Sequence, residues 1–147
     1  MSTQPNDKPV LVYTIFCDDV RLEVGNKLSL MGVFHQVMVQ QVPVTLMKFA
    51  VVTQWRGGSG RHLSEVRILD GGRRQPVVLA DPAPFEIAPG GVANNISFFF
   101  NVAFPAPGRY WVQTLLDSTL ADEQELTIVL VDGAGAPLPD TASDAVN

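Results

Sequence analysis

The stretch Val92-Ala-Asn-Asn-Ile-Ser-Phe-Phe-Phe-Asn-Val-Ala-Phe104 decides the fold class. Its even positions are Val92, Asn94, Ile96, Phe98, Phe100, Val102 and Phe104, and all but Asn94 are large and apolar. Most odd positions are small or polar, so the period is two and the segment reads as a half-buried strand with its even side inward. A bend or break is expected near Asn101. Working outward, Met47–Trp55 and His62–Asp70 flank Gly57-Gly58-Ser59-Gly60 and read as a hairpin, because glycines supply the positive φ of a tight reversal. That hairpin would pair Trp55 with His62, Thr53 with Ser64, Val51 with Val66 and Phe49 with Ile68. A second hairpin is expected between Arg109–Leu116 and Gln124–Val131, entered by the turn Pro107-Gly108. Tyr110, Val112, Thr114 and Leu116 would share its buried face with Leu126, Ile128 and Leu130.

Val10–Cys17 and Lys27–Phe34 add two strands, and Pro76–Leu79 adds a short one at an edge, where a proline is tolerated. Ala80–Gly91 holds Pro82, Pro84 and Pro89 and is expected to cross the surface without ladder bonds. No window sustains a helical apolar period without Gly or Pro. Seven or eight short strands predict an all-β chain folded as an antiparallel β-sandwich, immunoglobulin-like from the placing of Trp55 and Tyr110, with a jelly roll as the alternative. One sandwich domain over residues 10–131 is expected, with a flexible N-terminus at 1–9 and a disordered tail at 132–147.

The chain has 147 residues, a net charge of −5 and a charged fraction of 17%. Ordinary domains run at about 25% charged. The acidic balance argues against a nucleic-acid partner. No segment approaches the roughly 18 apolar residues of a spanning helix, and Met1 to Pro9 lacks the apolar core of a signal peptide, so a cytoplasmic protein without membrane contact is expected. The lone Cys17 excludes a disulfide framework or a Cys-rich zinc site. Charge is unevenly spread: residues 1–74 hold nine basic and six acidic side chains, whereas 75–147 hold one basic and nine acidic.

The densest chemistry is Cys17-Asp-Asp-Val-Arg-Leu-Glu23. If extended, Cys17, Asp19, Arg21 and Glu23 share one side. Asp18, Asp19 and Glu23 are the candidate ligands for a divalent metal, and the same carboxylates with Arg21 could form an acid/base pair or bind a small molecule. A strand end capped by Asp18 and Asp19, with Arg21 in an ion pair, accounts for the same residues. Cys17 follows an apolar run and reads as a buried thiol. Of the two histidines, His62 is expected to stack beside the glycine loop, partly exposed, and His35 to sit at a rim. Neither forms a nucleophile motif. Arg56 and Arg61 belong to the glycine-loop tip, about 25 Å from Arg73 and Arg74 at the far end of the same strand. The tip could dock on an acidic surface, with Asp122, Glu123 and Glu125 of a neighbouring copy as one choice.

Two passages carry a resemblance. Tyr13-Thr-Ile-Phe-Cys-Asp-Asp-Val-Arg-Leu-Glu-Val-Gly-Asn-Lys-Leu-Ser-Leu-Met-Gly-Val-Phe34 and Phe104-Pro-Ala-Pro-Gly-Arg-Tyr110 resemble a family of small uncharacterised bacterial proteins, a domain of unknown function. The resemblance implies a bacterial β protein, cytoplasmic or associated with phage or mobile elements, and supplies no activity, cofactor or catalytic residue.

The low charge has a further consequence. Phe99 and Trp111 fall on the outward parity of strands whose other face is already apolar, and Ala50, Val52 and Leu69 occupy the second face of the central hairpin. Exposed apolar surface of that kind marks a contact site. The expected role is therefore a non-catalytic interaction or assembly module that self-associates or binds a protein partner, without a cofactor. Its candidate binding residues are Asp18, Asp19, Arg21, Glu23, Arg56, Arg61 and Trp111. The alternative is a small-molecule or divalent-metal-binding domain, possibly hydrolytic, centred on Cys17–Glu23.

Overall fold

A computed structural model describes residues 7–138. Ten strands follow one another: β1 (Val10–Glu23), β2 (Lys27–Phe34), β3 (Gln36–Val39), β4 (Val44–Arg56), β5 (Gly60–Leu69), β6 (Pro76–Leu79), β7 (Ala83–Ile87), β8 (Val92–Phe104), β9 (Gly108–Leu116) and β10 (Thr119–Leu130). They form two sheets. One has the order β2-β1-β4-β8; the other runs β3-β10-β9-β5-β6, with β7 also on β5. The chain is all-β and folds as a sandwich. β4 and β8 lie in one sheet and β5, β9 and β10 in the other, the division of an immunoglobulin-like fold rather than a jelly roll. One pair departs from an antiparallel scheme: β3 runs parallel to β10. Among the described residues no helix is long and apolar enough to cross a membrane.

Phe16, Phe49, Val51, Val66, Ile68, Phe99, Phe104, Tyr110, Val112, Leu126 and Ile128 are buried in one core between the sheets. Phe49 stacks on Phe99 with ring centroids 5.2 Å apart, and Tyr110 meets Phe104 edge-on at 4.9 Å. The Tyr110 hydroxyl donates to the Ala106 carbonyl at 2.6 Å and accepts from the Ala106 N–H at 3.2 Å. This is the tyrosine corner found at the start of the equivalent strand in immunoglobulin-like domains.

Several expectations need correcting. Met47–Trp55 and His62–Asp70 do not pair: β4 lies between β1 and β8, while β5 lies in the opposite sheet against β9, β6 and β7. The glycine loop is a crossover between sheets. Gly57, Gly58 and Gly60 do adopt positive φ, but a crossover and a hairpin turn draw on the same residues. Ala80–Gly91 is not free of ladder bonds, because β7 pairs with β5 and places Pro84 opposite Leu63. Pro84 is tolerated because β7 lies at an edge. The Asp18–Asp19 pair lies inside β1, not at a strand end.

The largest correction concerns β8. Phe99 is buried, whereas Ile96, Phe98 and Phe100 are exposed. Asn101 adopts a left-handed φ of 54° and reverses the alternation, so that Val102 and Phe104 return to the core. The expected bend is present, but the even face points inward only beyond it.

The β9–β10 hairpin is present, but its second strand begins at Thr119 rather than Gln124, directly after a turn with Asp117 and Ser118 at positive φ; Tyr110 lies opposite Leu126, and Leu130 lies beyond the pairing, opposite Val39 of β3. Pro76–Leu79 is an edge strand on β5. At the ends, the Asp7 carbonyl accepts the Ser59 N–H at 2.9 Å, and the Leu138 N–H donates to Leu130 at 2.7 Å. Residues 132–138, expected to be disordered, instead form a turn in which the Asp132 carboxylate accepts the Ala134 and Ala136 N–H groups and Pro137 bridges to Val131; residues 1–6 and 139–147 of the expected flexible ends lie outside the described residues.

Tyr110→Phe removes the hydroxyl and leaves the Ala106 N–H and carbonyl without it. A loss of about 1–2 kcal/mol in urea unfolding is expected, with the m-value unchanged.

Candidate functional site

The predicted Cys17–Glu23 cluster does not converge. Asp19 accepts from Lys48 Nζ at 2.9 Å and from the Val20 N–H at 2.9 Å. The Lys48 hydrogen bond is the main reason its carboxyl titrates below the usual range. Glu23 accepts the Ser29 hydroxyl at 2.7 Å. Asp18 is exposed and lies over Gly32, where any Cβ would meet its carboxylate. Arg21 is exposed opposite Ser29. Among the described residues no three His, Cys, Asp or Glu side chains are grouped as metal ligands would be. The Cys17 thiol is fully buried, and burial together with the charges of Asp18 and Asp19 pushes its pKa up.

Arg56 and Arg61 flank the crossover rather than a hairpin tip. Arg56 donates to Gln54 at 3.0 Å, and Arg61 sits exposed on β5 opposite Glu86. Trp111 lies on the outer face of the six-stranded sheet, half-buried. Its indole N–H donates to the Gly71 carbonyl at 3.0 Å, and the Arg73 guanidinium lies 3.9 Å from its ring centroid. Arg73 makes two hydrogen bonds to Glu123, at 2.9 and 2.6 Å, and Glu123 also accepts from Gln113 at 2.7 Å. These bonds, with Arg73 the largest contributor, lower the Glu123 pKa to about 2. The acidic surface of β10 is therefore engaged by arginines of its own chain: Arg73 takes Glu123 and Arg109 takes Glu125 at 3.3 Å. Asp122 accepts the Thr14 hydroxyl from the opposite sheet at 3.0 Å.

Sequence reasoning missed the organisation of the other outer face. The register aligns residues in rows across the four-stranded sheet, and residues in one row share a face. Val33, Cys17, Ala50 and Phe98 form one row; Ile15, Val52 and Ile96 form the next. These rows alternate with Phe16, Val51 and Phe49 of the core, so they point away from the other sheet. Cys17, Ala50 and Val52 are fully buried there, packed by Tyr13, Val20, Leu28 and Leu30. Toward the β8 edge the cover ends: Phe98 is 41% and Phe100 61% exposed. One end of the apolar rows is closed by the polar row of Tyr13, Gln54 and Asn94, joined by hydrogen bonds of 3.2–3.4 Å. At the other end stand Asp19 and Lys48, and the Lys48 ammonium lies 5.0 Å from the Phe98 ring centroid. The exposed apolar surface of this face is therefore its β8 edge and not its centre. The signal that could have found it is the Phe98-Phe99-Phe100 triplet, which puts large apolar groups on both faces of any strand.

His62 is buried, not partly exposed, and packs against Phe85 with centroids 5.9 Å apart and the rings tilted by 35° rather than stacked. Its Nδ1 is 2.7 Å from Asp117 Oδ2 and its Nε2 is 2.8 Å from the Ser59 carbonyl. Both neighbours are acceptors, so the doubly protonated imidazolium satisfies both. Burial alone would depress the His62 pKa. The hydrogen bonds to Asp117 and Ser59 and the charge of Asp117 outweigh it and hold the pKa above its ordinary value. Burial opposes ionisation of Asp117 too, but bonds from His62 and the Leu63 N–H, and the charges of His62 and Lys8, bring its pKa below the usual range. With both ring nitrogens engaged, His62 clasps the glycine crossover to the β9–β10 turn.

A model of a family of unknown function (DUF6941) matches residues 12–129, and the chain belongs to that family. No curated protein matches it in sequence. Among solved structures, the chain is similar to the Pseudomonas fluorescens alkylpurine DNA glycosylase AlkC bound to DNA containing an abasic site analog. The identity is 7% and the TM-score 0.53, over 83% of this chain and 30% of that one. A β-glucosidase from Listeria innocua in complex with glucose is similar at 10% identity and a TM-score of 0.48, over 82% of this chain and 16% of the enzyme. The chain thus spans less than a third of either protein, and the likeness to the glycosylase is one of fold.

The His62 clasp sets a pH profile. The raised His62 pKa contributes stability in full below the unfolded value of about 6.5, and that contribution is lost as pH rises through the folded value. The lowered Asp117 pKa contributes above about 3.9 and is lost as pH falls through its folded value. Unfolding free energy should therefore be greatest between about pH 4 and about pH 6.5. In Asp117→Asn, urea titrations at a series of pH values should show both limbs flattened and about 1–3 kcal/mol lost near pH 5.5.

Proposed function

We propose that this chain is a non-catalytic interaction module that docks through the outer face of its four-stranded sheet. The observation that carries the reading is the exposure of Phe98 and Phe100 on a strand whose opposite face already fills the core with Phe99. Their rings lie 6.3 Å apart; Phe98 extends the Cys17–Ala50 row to the sheet edge, and Phe100 lies opposite Lys48. Exposed aromatic side chains in a contiguous patch are rare on a surface that meets only water. They are enriched where proteins meet one another.

The groups that would carry covalent chemistry are engaged structurally. Cys17 is buried with a raised pKa, and His62 has both nitrogens occupied. Asp19 and Glu23 bind Lys48 and Ser29 separately. This arrangement favours docking over the alternative of a ligand or metal site at Cys17–Glu23.

The reading predicts that Phe98→Ser/Phe100→Ser unfolds in urea within about 1 kcal/mol of the unsubstituted chain, as expected of side chains without a core role. Fluorescence of bis-ANS, a dye that binds exposed apolar surface, should fall at least threefold in the same variant. A loss of stability beyond about 2 kcal/mol would assign the two aromatics to the fold and overturn the reading.

A further inference from the structure

We infer that Asp7, Lys8 and Pro9 form a strap across the glycine crossover, latched by the buried pair of His62 and Asp117, which holds it closed while His62 is protonated and releases it when the proton leaves.

The closed geometry is well defined. The Asp7 carbonyl accepts the Ser59 N–H at 2.9 Å. Pro9 is buried, and Lys8 Nζ lies 3.6 Å from Asp117 Oδ2. Gly58 has φ 66° and passes so close to the segment that a Cβ there would lie 2.5 Å from both the Asp7 oxygen and the Pro9 nitrogen. Glycine alone admits that approach. Beyond Pro9 the chain enters β1, where Val10 pairs with Arg56. A backbone hydrogen bond and a mostly exposed ion pair hold weakly, so such a segment opens while the domain stays folded.

His62 acts on the residue that fastens the strap. Its Nε2 donates to the carbonyl of Ser59, the residue whose N–H holds Asp7, and its Nδ1 donates to Asp117. Asp117 faces the ring from the β9–β10 turn, and the strap brings Lys8 and the backbone of Asp7. β7 presents the Phe85 ring; its Glu86 is opposite Arg61, one residue along and on the other face. The crossover residues Gly57 to Gly60 carry no charge.

Deprotonation then strikes one bond. The Asp117 carboxylate keeps the proton on Nδ1, so Nε2 gives its proton up and turns a lone pair toward the Ser59 carbonyl oxygen. Two acceptors in contact repel, and the displacement of Ser59 takes the anchor of Asp7 with it. Burial opposes the charge on His62, but the bonds to Asp117 and Ser59 and the charge of Asp117 outweigh it and raise the pKa in the closed state. Closure is therefore favoured in full below the open-state value of about 6.5, and that preference is lost as pH rises through the raised value.

NMR of the full chain from about pH 5.5 to about pH 9 tests this, with the His62 Cε1–H reporting protonation and the Ser59 amide reporting the strap. The Ser59 protection factor, which already corrects for the intrinsic rise of exchange with pH, should fall about threefold or more as His62 titrates. The amide of Val51, in the middle of its sheet, should keep its protection. In His62→Gln the Ser59 protection should stay flat over the range. Gly58→Ala drives the strap off, so Ser59 protection should be low at every pH, and the His62 midpoint should move down because the coupling is reciprocal. A Ser59 protection factor that ignores the His62 titration, or that falls equally in His62→Gln, overturns the inference. So does an unmoved His62 midpoint in Gly58→Ala. A fall shared by Val51 assigns the effect to the whole domain and leaves no separate strap.

Discussion

The structure depends on a strand that is buried on both faces. In β4, Phe49 and Val51 enter the core between the sheets, while Ala50 and Val52 are buried with Cys17 on the far side. Fully burying one such side chain contributes roughly 1.5–3 kcal/mol, so β4 needs apolar neighbours above and below it. It also needs a strand on each edge, and β1 and β8 supply them over most of its length. With β1 on one edge and β8 on the other, β4 has no edge at which β5 could pair as a hairpin partner. Sending β5 into the opposite sheet instead places His62 and Ile68 across from β4, and the glycine crossover becomes a feature of the core architecture.

Two reversals of alternation follow. In the β4–β8 pair the left-handed Asn101 lets Phe99 and Phe104 both reach the core despite their odd spacing. In the β1–β2 pair, Gly32 has φ 68° beside Asp18, and beyond it Val20 packs with Cys17 rather than opposite to it. Both positions use residue types that tolerate the left-handed region. They bend the sheet and direct the side chains of the β1–β2 hairpin over Ala50 and Val52.

What the sequence made legible was local. Strand content, the existence of a β9–β10 hairpin, the edge strand at Pro76 and the burial of Cys17 all follow from period, turn chemistry and hydropathy within about ten residues. Choices between sheets were not legible. Gly57-Gly58-Ser59-Gly60 permits a hairpin or a crossover equally, and only the long-range competition for β4 decides between them. Asn101 announced a bend without saying which side of it faced inward. The candidate face was reached through the wrong residues: the low charge pointed to an unshielded apolar surface, but Phe99 is core and Phe98 and Phe100 are exposed. The Cys17–Glu23 carboxylates were dense in sequence yet are separated in space, because successive side chains along a strand diverge.

The uneven charge takes on a specific meaning once the two outer faces are compared. Arginines from the first half of the chain cross to the acidic second half on the six-stranded sheet, as in Arg73 with Glu123 and Arg67 with Gln113 beside it. Exposed ion pairs stabilise weakly, but a network keeps a surface hydrated and intolerant of apolar contact. The four-stranded sheet has little of this. Its two apolar rows carry no charge, and its polar contacts stand at their ends, Lys48 with Asp19 at one and Tyr13, Gln54, Asn94 and Arg56 at the other. A sandwich that spent its charge evenly would be soluble on both sides and sticky on neither. Ionic contacts thus concentrate on the six-stranded sheet, while the β8 edge of the four-stranded sheet presents the side chains of Phe98 and Phe100.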